Sequence, residues 1–205
     1  MDIAVLGGTF APPTMAHVRL LRAGMEFTGA QIGVWAPSSV SYMRRWRAGR
    51  MPDRWFSDDA RRAEMLRALC AAEGDMRLYA DEMAKRDGAY TYDTLYALEQ
   101  LYGGAVYFVM GSDLLPSLPG WHRARELIAR FPIVVASRGE GEASEAIARA
   151  GLPGVREMPF PDVYRERSAT QVREMIRAGR LAETKPLLHP AVYRYIEENW
   201  SPAET

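Results

Sequence analysis

Cysteine occurs once in this chain of 205 residues, at Cys70, so the sequence offers neither an intrachain disulfide nor a multi-cysteine zinc site. Lysine is nearly as scarce, found only at Lys85 and Lys185. Arginine supplies the rest of the 26 basic residues, and against that background no single arginine points to a phosphate. An equal 26 acidic residues bring the net charge to +0, which removes the bulk positive field expected of a nucleic-acid binder. Long apolar runs are also missing. The N-terminal one follows Asp2 and is cut by Gly7 and Gly8, so it fits neither a signal peptide nor a membrane span. A cytoplasmic protein that engages neither nucleic acid nor membrane is expected.

What is present reads as an ordinary globular chain, 48% hydrophobic and 25% charged. At one domain per roughly 150 residues, the length suggests one compact unit with a small appendage. Short β-branched or apolar runs at Ile3 to Leu6, Ile32 to Trp35, Met76 to Tyr79, Val106 to Met110 and Ile133 to Ala136 predict strands. Helical stretches alternate with them at Met15 to Phe27, Asp58 to Ala72, Tyr92 to Tyr102, Arg123 to Arg130 and Glu142 to Arg149. Strand followed repeatedly by helix predicts a doubly wound α/β protein, a parallel sheet covered on both faces. After Met158 only helices are expected, Ala169 to Arg177 and Ala191 to Trp200. The chain accordingly divides into a sheet domain, 1–160, and a small helical C-terminal subdomain packed on it, 161–205. The stretch from Pro37 to Ser57 reads as a long loop.

Two constellations carry chemistry. In the first, Gly7-Gly8-Thr9-Phe10 and the following Ala11-Pro12-Pro13 lead from the first strand into a helix that carries Thr14 and His17. Open parallel sheets bind ligands where a strand gives way to a helix. The glycines permit close approach of a phosphate, and Thr14 and His17, three apart, share one face of the first helical turn. Neither the Gly-x-Gly-x-x-Gly dinucleotide fingerprint nor a Walker Gly-Lys-Ser/Thr is present, so dehydrogenase and P-loop readings fall. In the second, Ser168-Ala169-Thr170-Gln171-Val172-Arg173 opens a late helix, with Ser168 and Gln171 at capping-box spacing. Thr170 and Arg173 lie near its free amides, where an anion would be welcome. Each constellation also has a plain structural reading: a strand-to-helix turn with Thr14 as cap and His17 on the surface, and a capped helix with a solvated arginine.

Together, and in this order, they resemble the nucleotidyltransferase superfamily with its (His/Thr)-x-x-His pair and late Ser-x-Thr-x-x-Arg helix start. Within it the chain resembles the nicotinate/nicotinamide mononucleotide adenylyltransferases. The narrower match rests on Tyr90-Thr91-Tyr92-Asp93-Thr94-Leu95, on Met110-Gly111-Ser112-Asp113 and on Trp121. The resemblance runs nearly end to end and implies a Rossmann-like sheet. It implies attack by a pyridine mononucleotide's phosphate on the α-phosphorus of ATP, with loss of pyrophosphate and with Mg2+ held mainly by the ATP phosphates rather than by a protein metal site.

By the same resemblance, His17 would meet the α-phosphoryl group with Thr14 as neighbouring donor. Ser168, Thr170 and Arg173 would hold the departing phosphates. Gly7, Gly8, Thr9 and Phe10 would line the ATP site, and Gly111 and Asp113 would meet the adenosine. Trp121 would stack on the pyridine ring, Thr91 would donate to its carboxylate or amide, and Thr9 and Arg44 would also serve the mononucleotide. Departures occur at Thr14 and Ala16, where the bacterial pattern has His and Gly, at Arg167 and Ala169 in the late motif, and in the loop Ser38 to Arg50, which offers Arg44, Arg45 and Arg47 in place of a Pro-His-Lys segment. The choice between acid and amide substrate therefore stays open, as does oligomeric state, including a homo-oligomer. Two alternatives also stand: transfer to another phosphorylated acceptor such as phosphopantetheine or glycerol 3-phosphate, and a nucleotide-binding regulator with little turnover.

Overall fold

A computed structural model of the chain describes residues 1–46, 54–84, 90–137, 142–152, 154–160 and 168–201. Its centre is a six-stranded parallel sheet formed by β1 (Ile3–Gly8), β2 (Ile32–Pro37), β3 (Met76–Leu78), β4 (Val106–Gly111), β5 (Ile133–Ser137) and β6 (Val155–Pro159). The order across the sheet is β3-β2-β1-β4-β5-β6, with β1 paired in parallel to both β2 and β4. The direction of winding reverses between β1 and β4. Beyond the carboxyl ends of those two strands lies the crevice in which such sheets hold ligands.

Alternation along the strands sends neighbouring residues to opposite faces. Ala4 and Leu6 of β1 join one core, with Trp35 and Val109, while Ile3 and Val5 join the other, with Val34 and Phe108. The first face is covered by α1 (Met15–Thr28), α3 (Asp59–Glu73), α8 (Ala169–Arg177) and α9 (Pro190–Asn199), through Leu21, Leu66, Val172 and Ile196. The second is covered by α5 (Thr91–Tyr102), α6 (Ala124–Arg130) and α7 (Glu142–Ala150), through Leu95, Leu127 and Ala143, together with a 3-10 segment, Ser112–Gly120. Short helices α2 (Val40–Trp46) and α4 (Asp81–Ala84) follow β2 and β3.

Helix α1 meets the sheet closely at Gly24. A Cβ at Gly24 would stand 2.5 Å from a methyl of Val109 on β4, so glycine is what permits this approach. The C-terminal helices are not a separate layer: Val172, Ile176, Val192 and Ile196 belong to the same apolar cluster as Leu6 and Trp35. A polar clasp adds to it. Arg22 of α1 bridges Glu73 and Asp75, and Glu73 in turn accepts from Nε2 of His189 at 3.1 Å. His189 Nδ1 meanwhile accepts from Ala191 N–H at 3.2 Å and so caps α9.

The expected strands and long helices are present, with ends shifted by a few residues at most. Two differences matter. The strand β6 was not foreseen, because Val155-Arg156-Glu157-Met158-Pro159 alternates too little apolar surface to stand out, as suits the edge strand it is. The supposed loop from Pro37 to Ser57 begins with the helix α2, while 47–53 lie outside the described residues.

Candidate active site

The loop leaving β1 is set by local packing. Gly8 has no room for a side chain, since a Cβ there would lie 2.9 Å from the Phe10 ring. Phe10 itself takes φ 48°, a left-handed conformation that a bulky residue adopts only when its surroundings impose it. Its buried ring supplies that restraint, standing edge-on to Trp35 at 5.0 Å and to His17 at 5.3 Å. On the next turn the Thr14 N–H donates to His17 Nδ1 at 3.0 Å, and Thr14 Oγ1 lies 2.9 Å from the same nitrogen. With Nδ1 committed as acceptor, the imidazole carries its hydrogen on Nε2. Burial lowers its pKa from 6.5 to about 4, so the ring is a neutral donor at ordinary pH.

The second constellation arrives at the same place. Arg173 Nη1 donates to the Ala11 carbonyl at 2.7 Å, across 162 residues of sequence, and Nη2 donates to Thr170 Oγ1 at 3.0 Å. A cavity of about 440 Å³ results, lined by Gly7, Gly8, Thr9, Phe10, His17, Gly111, Asp113, Thr170 and Arg173. Its donors are an imidazole, hydroxyls and a guanidinium beside the amino end of α8, a set suited to a polyanion.

A second cavity, about 450 Å³, opens on the other side of the same glycines. Gly7, Gly8 and Leu114 line both. Trp121 and Thr91 line this one, with Tyr90, Thr94, Tyr42, Glu82 and His122. Trp121 is fixed by Nε1 donating to Ser117 Oγ at 3.0 Å and by edge-on contact with Phe108 at 5.9 Å between centroids. Tyr90 stacks on His122 at 4.2 Å, and the buried Glu82 carboxylate accepts from Thr94 Oγ1.

Three expected site residues sit elsewhere. Thr14 is fully buried and lines neither cavity, and both its N–H and its hydroxyl meet His17 Nδ1. Ser168 lines neither cavity, because its hydroxyl accepts from Gln171 N–H at 3.2 Å as the cap of α8. Arg44 is exposed and lines neither, being on the outer side of α2 while Tyr42 and Met43 face the two cavities. The side chain of Arg45, and Arg47 and Arg167 entirely, lie outside the described residues. Glu82 and His122 were missed. The sequence gives them no signal beyond proximity to Tyr90 and Trp121, and only the fold brings them to one cavity.

Among the described residues, no group of three or more His, Cys, Asp or Glu is disposed to hold a metal, and no helix is long and apolar enough to cross a membrane.

Comparison with known proteins agrees with this geometry. The cytidylyltransferase-like family matches residues 5–175. A protein of Gloeobacter violaceus described as a "probable nicotinate-nucleotide adenylyltransferase" is 32% identical, over 96% of this chain and 93% of its own. The nicotinate-nucleotide adenylyltransferase of Bacillus subtilis is 25% identical, with 96% of each chain covered. In structure, the nicotinic acid mononucleotide adenylyltransferase of Plasmodium falciparum complexed with NaAD superposes with a TM-score of 0.73, over 100% of this chain and 98% of that one, at 19% identity, a likeness of fold. The chain belongs to the cytidylyltransferase-like family, among its nicotinate-nucleotide adenylyltransferases.

Proposed function

We propose that the protein transfers the adenylyl group of ATP to nicotinate mononucleotide, releasing pyrophosphate and forming the dinucleotide deamido-NAD, a step of NAD biosynthesis. The observation that carries this reading is the pair of cavities meeting at Gly7 and Gly8. Direct transfer requires two phosphorylated substrates whose reacting groups touch, and a shared wall of Gly7, Gly8 and Leu114, two of them without side chains, is where they can. The cavity holding His17, Thr170 and Arg173 takes the triphosphate. The cavity holding Trp121 and Thr91 takes the pyridine nucleotide, ring against indole, with the Thr91 hydroxyl for its carboxylate.

The attacking phosphate oxygen is already anionic at neutral pH, so no general base is needed. Catalysis consists of alignment and of stabilising charge that grows on the α-phosphoryl oxygens. His17 Nε2–H is the donor for that charge, fixed in tautomer and direction by Thr14. Arg173, Thr170 and the amides at the start of α8 receive the departing pyrophosphate. Mg2+ suits a cavity in which Asp113 is the one lining carboxylate among the described residues. Such an ion would be held by the phosphates and by water and would offset polyphosphate charge.

Pyrophosphate release from ATP, measured with nicotinate mononucleotide, nicotinamide mononucleotide, phosphopantetheine and glycerol 3-phosphate in turn, tests the reading. Release is expected with the pyridine nucleotides, and fastest with the acid. Release only with another acceptor moves the activity elsewhere in the superfamily. Tight ATP binding without release from any of them leaves a regulator.

A further inference from the structure

Arg62 is the largest charged side chain fully enclosed by the described residues, and nothing in its sequence surroundings sets it apart from its neighbour Arg61. Its contacts do. From α3, beneath the carboxyl edge of the sheet, Nη1 donates to the Thr9 carbonyl at 2.5 Å and Nη2 to the Ser38 carbonyl at 2.6 Å. Nη2 also pairs with Asp59, whose carboxylate accepts from Val40 N–H at 3.1 Å. One buried guanidinium thereby fastens the segment after β1, the segment after β2 and the start of α2. Burial pulls its pKa down, and Asp59 pulls it back up.

The Thr9 contact has a consequence on the other side of the peptide. The carbonyl of Thr9 and the N–H of Phe10 belong to one planar unit, and in a trans peptide they point in opposite directions. The only cis bond in the described chain is Ala11-Pro12. A Thr9 carbonyl held down on Arg62 therefore turns the Phe10 N–H away from the core, at a residue that lines the triphosphate cavity. Phe10 is also the residue forced into the left-handed region, so this peptide has an orientation that it would not keep unaided.

We propose that Arg62 is a positioning residue for adenylyl transfer: its grip on the Thr9 and Ser38 carbonyls aims the Phe10 amide at the phosphate anion and fixes the wall between the two cavities. The role needs arginine, because the fork reaches two carbonyls and a carboxylate at once, whereas an ammonium is a single point. The proposal rests on the adenylyl transfer reading above.

The first measurement uses the unaltered protein. Titration with inorganic pyrophosphate is expected to shift the Phe10 amide in the 1H–15N NMR spectrum, and a Phe10 amide that does not move while His17 and Thr170 respond overturns the proposal. The second compares Arg62→Lys, which keeps a charge beside Asp59, with Arg22→Lys, which loosens the clasp at the opposite edge of the sheet. Arg62→Lys is expected to lower kcat by about a hundredfold with KM for ATP changed far less, and to shrink the Phe10 shift. A kcat near that of the wild type, or an equal loss in Arg22→Lys at the same melting temperature, also overturns it. Failure of adenylyl transfer itself is seen separately, as absent pyrophosphate release alongside an intact Phe10 response.

Discussion

His17 shows how a single side chain can be prepared for one task by its immediate neighbours. The Thr14 amide occupies Nδ1 and burial keeps the ring neutral, so Nε2–H is the one ring donor left. Removing a donor of this kind typically costs about 3 kcal/mol in the transition state, so His17→Ala is expected to lower kcat by a hundredfold or more while the chain still folds. The shift also sets a pH dependence. In the unfolded chain the imidazole takes a proton below about 6.5, in the folded chain only below about 4. Between those values the unfolded state binds more protons, so this residue's contribution to stability is complete above the upper value and declines as pH falls to the lower one. An NMR titration of His17 is expected to give a midpoint near 4. A midpoint near 6.5 would show that the ring is not shielded as described. At this scale the sequence discloses pairs whose contact depends on local spacing, such as His17 with Thr14 and Arg173 with Thr170. It does not disclose Arg62, Glu82 or His122, whose surroundings are assembled from distant segments. Nor does position along the chain tell the inner side of α2 from the outer, where Arg44 stands exposed.

Elements were easier to read than residues, for a physical reason. A strand buried on both faces is apolar over most of its length, as β1, β4 and β5 are, and a crossover helix must be long, so both leave strong patterns. Edge strand β6 and the short helix α2 bury less and leave weaker ones. The close packing of α1 on β4 gives a test at this scale. In an exposed helix Gly→Ala adds about 1 kcal/mol of stability through propensity. Gly24→Ala is expected to do the reverse, because the added methyl meets Val109 in a filled core, where overpacking costs about 1–3 kcal/mol. Chemical denaturation should therefore show Gly24→Ala less stable than wild type. A more stable variant would mean that Val109 can give way.

At the scale of the whole molecule, the boundary drawn at residue 160 raises the question of whether the C-terminal helices melt apart from the sheet. Ile196 lies fully buried in the cluster that contains Leu6 and Trp35. Truncation of such a residue typically costs about 2–5 kcal/mol. Ile196→Ala is expected to lower the stability of the entire chain by that amount in a single calorimetric transition, whereas two separated transitions would establish an independent subdomain. The Arg173 contact with Ala11 gives this continuity a further meaning during protein synthesis. The loop after β1 leaves the ribosome 162 residues ahead of the arginine that closes over it, so a nascent chain cannot close this cavity until that arginine has also been made.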